Sequence, residues 1–240
     1  MKSGQLACGA LVLLLLGGCG AYSTTRIEAQ DRQTVLPALR GSFNFGKSVD
    51  APSRPQDGHS IEVEGFTARG NDNQSLAAGQ NPVVLDGTTF APPVQLRHDF
   101  RFSYADVSWR WRKFFGGGAV GLQALAGVAY AGVRLNTSSP SQQASQGFYN
   151  RGAQGGFGLV WRNPSGTAIE ARVTEFFGGE SDVDRASRYE ASISQALSDN
   201  VTLRLGYAGW EVKGQDFSSN SAYRLRFSGP TLGLQVDFGP

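Results

Sequence analysis

Cysteine is scarce in this chain of 240 residues, which contains only Cys8 and Cys19. Two cysteines, one of them inside an N-terminal apolar run, cannot supply a disulfide framework or a cysteine-based metal site. Charged residues make up only 18% of the chain and the formal net charge is +2, which argues against an electrostatic nucleic-acid binder. The longest apolar run, residues 6–16, is shorter than the ~20 residues that a membrane-spanning helix needs, so a bundle of such helices is excluded.

The N-terminus has the order of a secretory signal peptide: Lys2, then the apolar run, then small residues. The run ends in Leu16-Gly17-Gly18-Cys19, which resembles the lipobox of bacterial lipoproteins. The resemblance implies that residues 1–18 are removed and that Cys19 carries a diacylglycerol and an acylated amine. The alternative is an ordinary signal peptide cut after Ala21, which would place Cys19 at a position that prefers small residues.

Residues 19–58 are rich in Ser, Thr, Pro, Gln and charge, and 51–58 is the clearest linker. We therefore expect a lipidated periplasmic tether over 19–58. One stretch within it, residues 41–46, alternates apolar and small or polar residues. It is either a short strand or a loop anchored by two phenylalanines, and the sequence leaves both open.

Beyond residue 58 the dominant period is two rather than 3.6, which predicts strands rather than helices. Each candidate strand exceeds the ~9–11 residues that a tilted transmembrane strand requires. The sequence predicts one all-β domain over 59–240 with eight antiparallel strands at residues 59–69, 97–113, 119–136, 148–162, 166–177, 183–197, 201–213 and 222–238.

The two faces of most strands differ: in the fifth, Ile169 and Val173 share one face while Glu170 and Arg172 share the other. Three strands change phase partway along, which predicts bulges near 105–106, 208–209 and 229–230.

The connections alternate between long and short, with 70–96 and 137–147 the longest. This asymmetry resembles that of the small eight-stranded outer-membrane proteins of the OmpA, OmpX and opacity type. The resemblance covers residues 59–240 and rests on pattern rather than on a motif. It implies an antiparallel eight-stranded up-and-down transmembrane β-barrel in the bacterial outer membrane with both termini in the periplasm. Such barrels usually end on an aromatic residue, whereas in this chain Gly239 and Pro240 follow Phe238.

Arginine outnumbers lysine by 18 to 4, which favours a polar face that points into a narrow interior, where guanidinium groups pair with carboxylates. We expect a plugged interior, because an eight-stranded barrel is just wide enough for its side chains. The alternative is a soluble lipocalin-like lipoprotein barrel that binds a hydrophobic ligand. The expected interior charge network comprises Glu62, Glu64, Arg101, Arg110, Arg112, Glu170, Arg172, Arg188, Glu190, Arg204, Arg224, Arg226 and Asp237.

No catalytic constellation is evident. The two histidines are His59 and His98, and His98 differs in strand parity from Ser103, its nearest serine partner. We expect no enzyme, no cofactor, no metal and no nucleic acid, and a role in envelope structure or surface interaction. The expected partners are outer-membrane lipids, the barrel-assembly and lipoprotein-processing machinery, and an extracellular partner at loops 70–96 and 137–147.

Overall fold

A computed structural model describes residues 26–31, 36–45, 57–115, 118–179, 182–198, 200–216 and 221–238. The signal peptide, Cys19 and most of the 51–58 linker lie outside these residues. Twelve strands are present: β1 Arg26–Asp31, β2 Leu36–Phe45, β3 Gly58–Leu76, β4 Val83–Leu85, β5 Thr88–Phe90, β6 Val94–Phe115, β7 Val120–Ser138, β8 Gln143–Arg162, β9 Thr167–Phe177, β10 Arg185–Ala196, β11 Val201–Asp216 and β12 Ser221–Phe238.

Nine of these strands form a closed ring in the order β2-β3-β6-β7-β8-β9-β10-β11-β12, after which β12 pairs with β2. Neighbours in the ring are antiparallel except β12 and β2, which run parallel. The all-β antiparallel fold is confirmed, and a strand lies at each of the eight expected positions. The expected count of eight is wrong for the ring, because β2 adds a ninth strand.

The ninth strand comes from the segment that we expected to be a tether. β2 pairs with β12 from Leu36 to Phe43 and with β3 from Ala38 to Phe45. Its alternation explains the insertion, since Arg40 is buried inside the ring while Leu39 lies exposed on the outside. The open question at 41–46 is therefore answered by a strand that starts five residues earlier.

The connections define two ends of the ring. We call the end with connections 77–93 and 139–142 the loop end, and the end with connection 163–166 the turn end. β1 pairs in parallel with β12 from Ala222 onward, so Arg26 lies at the loop end. Phe238 lies at the turn end beside Phe43. The described chain thus begins and finishes at opposite ends, whereas we expected both termini on one side.

The predicted bulges are absent from the described strands. β6 pairs with β3 without interruption from Val94 to Arg112, and its even-numbered residues face inward along the whole length. β11 and β12 likewise keep one register from Val201 to Asp216. The parity of the inward residues does not change along these strands. Towards the loop end the inner face turns from charged to aromatic, and the outer face turns from apolar to polar.

The interior is layered from the turn end to the loop end. Phe114, Val160 and Ala168 form a small apolar cluster at the turn end. A charged layer follows, and above it comes an aromatic core that includes Phe102 and Trp210. The hairpin β4–β5 closes the loop end.

The two expected long loops are largely ordered strand. Within 70–96, β3 continues to Leu76 and β6 begins at Val94, and between them the β4–β5 hairpin buries Val83, Leu85 and Phe90. Within 137–147, only residues 139–142 connect β7 to β8. The expectation failed because the outward residues at the loop-end parts of β3, β6, β7 and β8 are mostly polar, so in the sequence these parts look like loops.

Candidate functional site

Ten charged side chains meet inside the ring, and none is more than 7% exposed. They come from six strands, β2, β3, β6, β9, β10 and β11. We call this set the charge network: Arg40, Glu62, Glu64, Arg110, Arg112, Glu170, Arg172, Arg188, Glu190 and Arg204.

Strand alternation places the network. Inward positions recur every second residue, so β3 contributes Glu62 and Glu64 as consecutive inward residues. Opposite charges also face each other across neighbouring strands, as Arg40 does Glu64 and Arg172 does Glu190. Such cross-strand pairs add to the stability of a sheet.

Glu64 and Glu62 form the centre of the network. The Glu64 carboxylate accepts hydrogen bonds from Arg40 at 2.7 Å, Arg172 at 2.8 Å and Arg188 at 2.7 Å. Glu62 accepts from Arg110 at 2.7 Å and from Arg172 at 2.6 Å. Arg172 therefore bridges both carboxylates.

Glu170 forms a second centre nearer the turn end. It accepts from Arg112 and from Arg204, each at 3.1 Å. Arg112 also donates to Gln123 at 3.1 Å. Gly158 makes room for this amide, because a Cβ there would lie 2.7 Å from Gln123 Nε2 and 2.5 Å from a backbone oxygen.

Little space remains inside this layer. The cavity lined by Arg112, Glu170 and Arg204 has a volume of about 30 Å³, which is about the room of one water molecule. The network therefore ties six strands together and fills this layer of the ring.

Three expected network residues lie elsewhere. Arg101 is exposed on the outer face. Arg224 and Arg226 are also outward and pair with Glu211 at 2.6 Å and 3.0 Å. All three were placed inside because we assumed a phase change that these strands do not make. The side chain of Asp237 lies outside the described residues.

Sequence reasoning missed two buried charges. Arg40 lies in the segment taken for a tether, and Asp106 lies at the expected bulge. The signal for Arg40 was available, because residues 38, 40 and 42 alternate with the apolar Leu39 and Phe43. Asp106 would have been placed inside the ring if the parity of β6 had been taken as uninterrupted.

An apolar outer belt surrounds the ring at the level of the charge network. On β11 the outward residues stay uncharged over 201–209, about the length that a tilted membrane strand needs. The exposed members of the outer belt include Leu39, Val63, Val107, Val120, Leu122, Val128, Phe157, Leu159, Ile169, Ile193, Leu197, Leu205, Leu232 and Leu234.

Aromatic side chains border the outer belt on both sides. Towards the turn end these are Trp109, Trp161, Phe43, Phe45, Phe115 and Phe238, and towards the loop end Tyr130, Tyr189 and Tyr207. Beyond these tyrosines the outward residues become charged, among them Arg69, Arg101, Arg134, Arg185, Glu211 and Arg226. On β8 and β9 the order differs, because Arg151 and Glu175 lie nearer the belt than the exposed Tyr149 and Phe177.

His98 lies in the loop-end half of the interior, where it is fully buried. Its ring nitrogens hydrogen-bond Thr137 Oγ1 and Gln74 Oε1, each at 2.9 Å. Burial lowers the pKa of His98 to about 4, which keeps the imidazole neutral. Ser103 faces outward on the same strand, so the two side chains do not form a catalytic pair. His59 stacks on Trp109 at the outer surface.

Comparisons with protein-family models, curated proteins and solved structures found no match for this chain. In the part of the chain that the structure describes, no helix is long and apolar enough to cross a membrane. Over the same residues, no group of three or more His, Cys, Asp or Glu side chains could hold a metal ion.

Proposed function

We propose that the ring is a β-barrel that spans the bacterial outer membrane, that its interior is plugged, and that it acts in envelope structure or surface interaction rather than as an enzyme. The observation that carries the proposal is the inversion at one level of the ring. There the charge network is buried inside, while large apolar side chains such as Val128 and Leu205 are 64% and 50% exposed outside.

The inversion favours a hydrocarbon environment. A contiguous apolar surface that surrounds the whole ring is rare on a soluble monomer. The aromatic borders add to this argument, because transmembrane barrels carry aromatic girdles at both interfaces. The polar outward residues beyond the tyrosines would then stand in the headgroup region and in water.

The lipocalin-like alternative is not favoured. A hydrophobic ligand needs an apolar cavity inside the ring, and one half of this interior is filled by paired charges. In the other half aromatic rings pack together: the Phe66 and Trp210 centroids are 4.7 Å apart and those of Phe102 and Trp210 5.3 Å.

The nine-stranded ring is compatible with a membrane barrel. An odd number of alternating strands leaves one parallel pair at closure, which β2 and β12 supply. Membrane barrels with an odd number of strands exist, although bacterial single-chain barrels are usually even-numbered.

The proposal retains the lipid anchor on Cys19. Arg26 is the seventh residue after Cys19, so the extended chain could reach no more than about 25 Å. Because Arg26 lies at the loop end, we place the acyl chains in the leaflet at that end. Cys19→Ser should abolish the incorporation of labelled fatty acid and leave the precursor uncut or miscut. Continued labelling would contradict the anchor.

Tryptophan fluorescence tests the membrane position directly. Trp161 faces outward and is 44% exposed, whereas Trp210 lies in the aromatic core and is 4% exposed. Two single-tryptophan variants, with the other three tryptophans changed to Phe, are reconstituted into phosphatidylcholine vesicles that contain brominated chains. We expect strong quenching of Trp161 and weak quenching of Trp210.

Aqueous acrylamide provides the matched measurement. If the outer belt faces water, acrylamide will quench Trp161 and the brominated lipid will not, and the proposal is then wrong. Folding of both variants is checked by the different gel migration of unboiled and boiled samples.

A further inference from the structure

A groove interrupts the outer belt where β3 meets β6. Its floor consists of small side chains, Gly65 and Thr67 on β3 and Ser103 and Ala105 on β6. Leu39 borders it on one side and Tyr130 on the other, and the cavity has a volume of about 590 Å³.

Three arginines stand in a row just beyond the groove, towards the loop end. The strand register places Arg69 directly opposite Arg101, and Arg101 directly opposite Arg134. All three are exposed on the outer face. They line a second cavity of about 400 Å³ together with Asn71, Asp99, Phe100 and Asn136.

The arginine row places like charges side by side, with Arg101 between Arg69 and Arg134 in the strand register. Like charges directly opposite each other on neighbouring strands destabilise a sheet. Asp99 is the one carboxylate that lines the cavity, and Arg97 pairs with it at 3.3 Å. An anion bound among the three guanidinium groups would offset their repulsion.

The groove and the arginine row are continuous. Thr67 and Arg69 are successive outward residues of β3, and so are Ser103 and Arg101 on β6. The Tyr130 ring lies against Gly132, where a Cβ would come within 2.8 Å of Tyr130 Oη. Its hydroxyl therefore stands between the groove and the row.

We propose that this surface binds one phosphorylated acyl lipid, with an acyl chain in the groove and the phosphate among Arg69, Arg101 and Arg134. The largely apolar lining of the groove, which includes Leu39, Gly65 and Ala105, matches the chain, and the guanidinium groups match the phosphate oxygens in charge and geometry. The inference rests on the proposed membrane position of the outer belt, because only then do groove and row face hydrocarbon and headgroups in that order.

The test measures lipid retention on the full-length protein purified in a nonionic detergent. The probe is dioleoyl phosphatidic acid, and bound lipid is counted by native mass spectrometry. Inorganic phosphate supplies the anion alone and dioleoylglycerol supplies the chains alone. We expect one retained phosphatidic acid and no stable complex with either comparison compound.

Two kinds of variant address the two parts of the site. Arg101→Gln combined with Arg134→Gln should weaken binding at least about tenfold, whereas Arg151→Gln, an outward arginine outside the row, should not. Gly65→Phe should fill the groove, since a Cβ there meets only a backbone oxygen at 3.9 Å. Gly155→Phe is its control, because the corresponding distance is 3.8 Å at a site outside the groove.

Each outcome decides the inference. It is overturned if either variant type retains phosphatidic acid as the wild type does, or if inorganic phosphate or dioleoylglycerol binds equally well. It is also overturned if the wild type retains no phosphatidic acid. Trp161 quenching by brominated lipid separates the two proposals: quenching without phosphatidic acid retention refutes the lipid site alone, and absence of quenching refutes the membrane position.

Discussion

Glu64 holds together arginines from three different strands, Arg40 on β2, Arg172 on β9 and Arg188 on β10. Its removal would leave buried guanidinium groups short of a counter-charge. We therefore expect Glu64→Ala to lower the free energy of unfolding by ~3–5 kcal/mol, measured by urea titration of the folded protein in detergent or vesicles.

The matched control is Glu211→Ala. Glu211 also contacts several cations, among them Arg224 and Arg226, but it lies on the outer face beyond the belt. Solvent screening should limit its loss to about 1 kcal/mol or less. Equal losses for the two variants would show that the interior charges are as well solvated as the exterior ones.

His98 should make stability depend on pH. Its pKa is about 4 in the folded protein and about 6.5 in an unfolded chain, so on acidification the unfolded state takes up the proton first. Stability is complete above about pH 6.5 and falls towards pH 4, by up to about 3 kcal/mol. The measurement is the unfolding free energy against pH for wild type minus that for His98→Gln.

His59→Gln controls for general acid effects, because His59 is the other histidine of the chain and lies at the outer surface. It should preserve the pH dependence of the wild type. A His98→Gln variant with an unchanged pH profile would contradict the assignment.

Residue identity and parity were enough to predict most of the charge network, but not all of it. Glu170 and Arg172 lie inside the ring as expected, because β9 shows one clean alternation. Arg101 and Arg226 were placed wrongly, because we assumed phase changes on β6 and β12 that these strands do not make.

At the scale of the strand, β6 carries two opposite arrangements on one continuous backbone. Near Arg110 the inner face is charged and the outer face apolar, and near Phe102 the inner face is apolar and the outer face polar. The sequence could predict the strand but not the change, because hydrophobic periodicity reports which residues share a face and not what surrounds that face. The sequence left open a short strand at 41–46, and we expected the first five residues of β2 to belong to the tether.

The outer belt should be intolerant of charge. Val128 is 64% exposed in the middle of the belt on β7, so Val128→Arg should cost ~2–4 kcal/mol if the site is near the bilayer midplane. Ser138→Arg, on the outer face at the loop-end limit of the same strand, should stay within about 0.5 kcal/mol of wild type. Unfolding titrations in vesicles compare the two, and a reversed order would place the belt in water.

At the scale of the whole molecule, three layers close the ring: the charge network, the aromatic core and the β4–β5 hairpin. We expect no steady ion current from the purified protein in planar bilayers, since the interior is filled by paired side chains. Replacing residues 80–92 by a short Gly-Ser linker should remove the hairpin yet leave the current absent, because the charge network remains. Reproducible single-channel steps of porin size would contradict the plugged interior.

The parallel closing pair also fixes the order in which the protein can be completed. Leu36 pairs with Thr231, 195 residues later in the chain, so the ring closes only when the final strand arrives. Until then β2 and β11 both present unpaired backbone groups, which are templates for wrong strand pairing. A chain arrested before β12 therefore keeps two open edges exposed to wrong strand pairing, and the step that protects it is the pairing of β2 with β12.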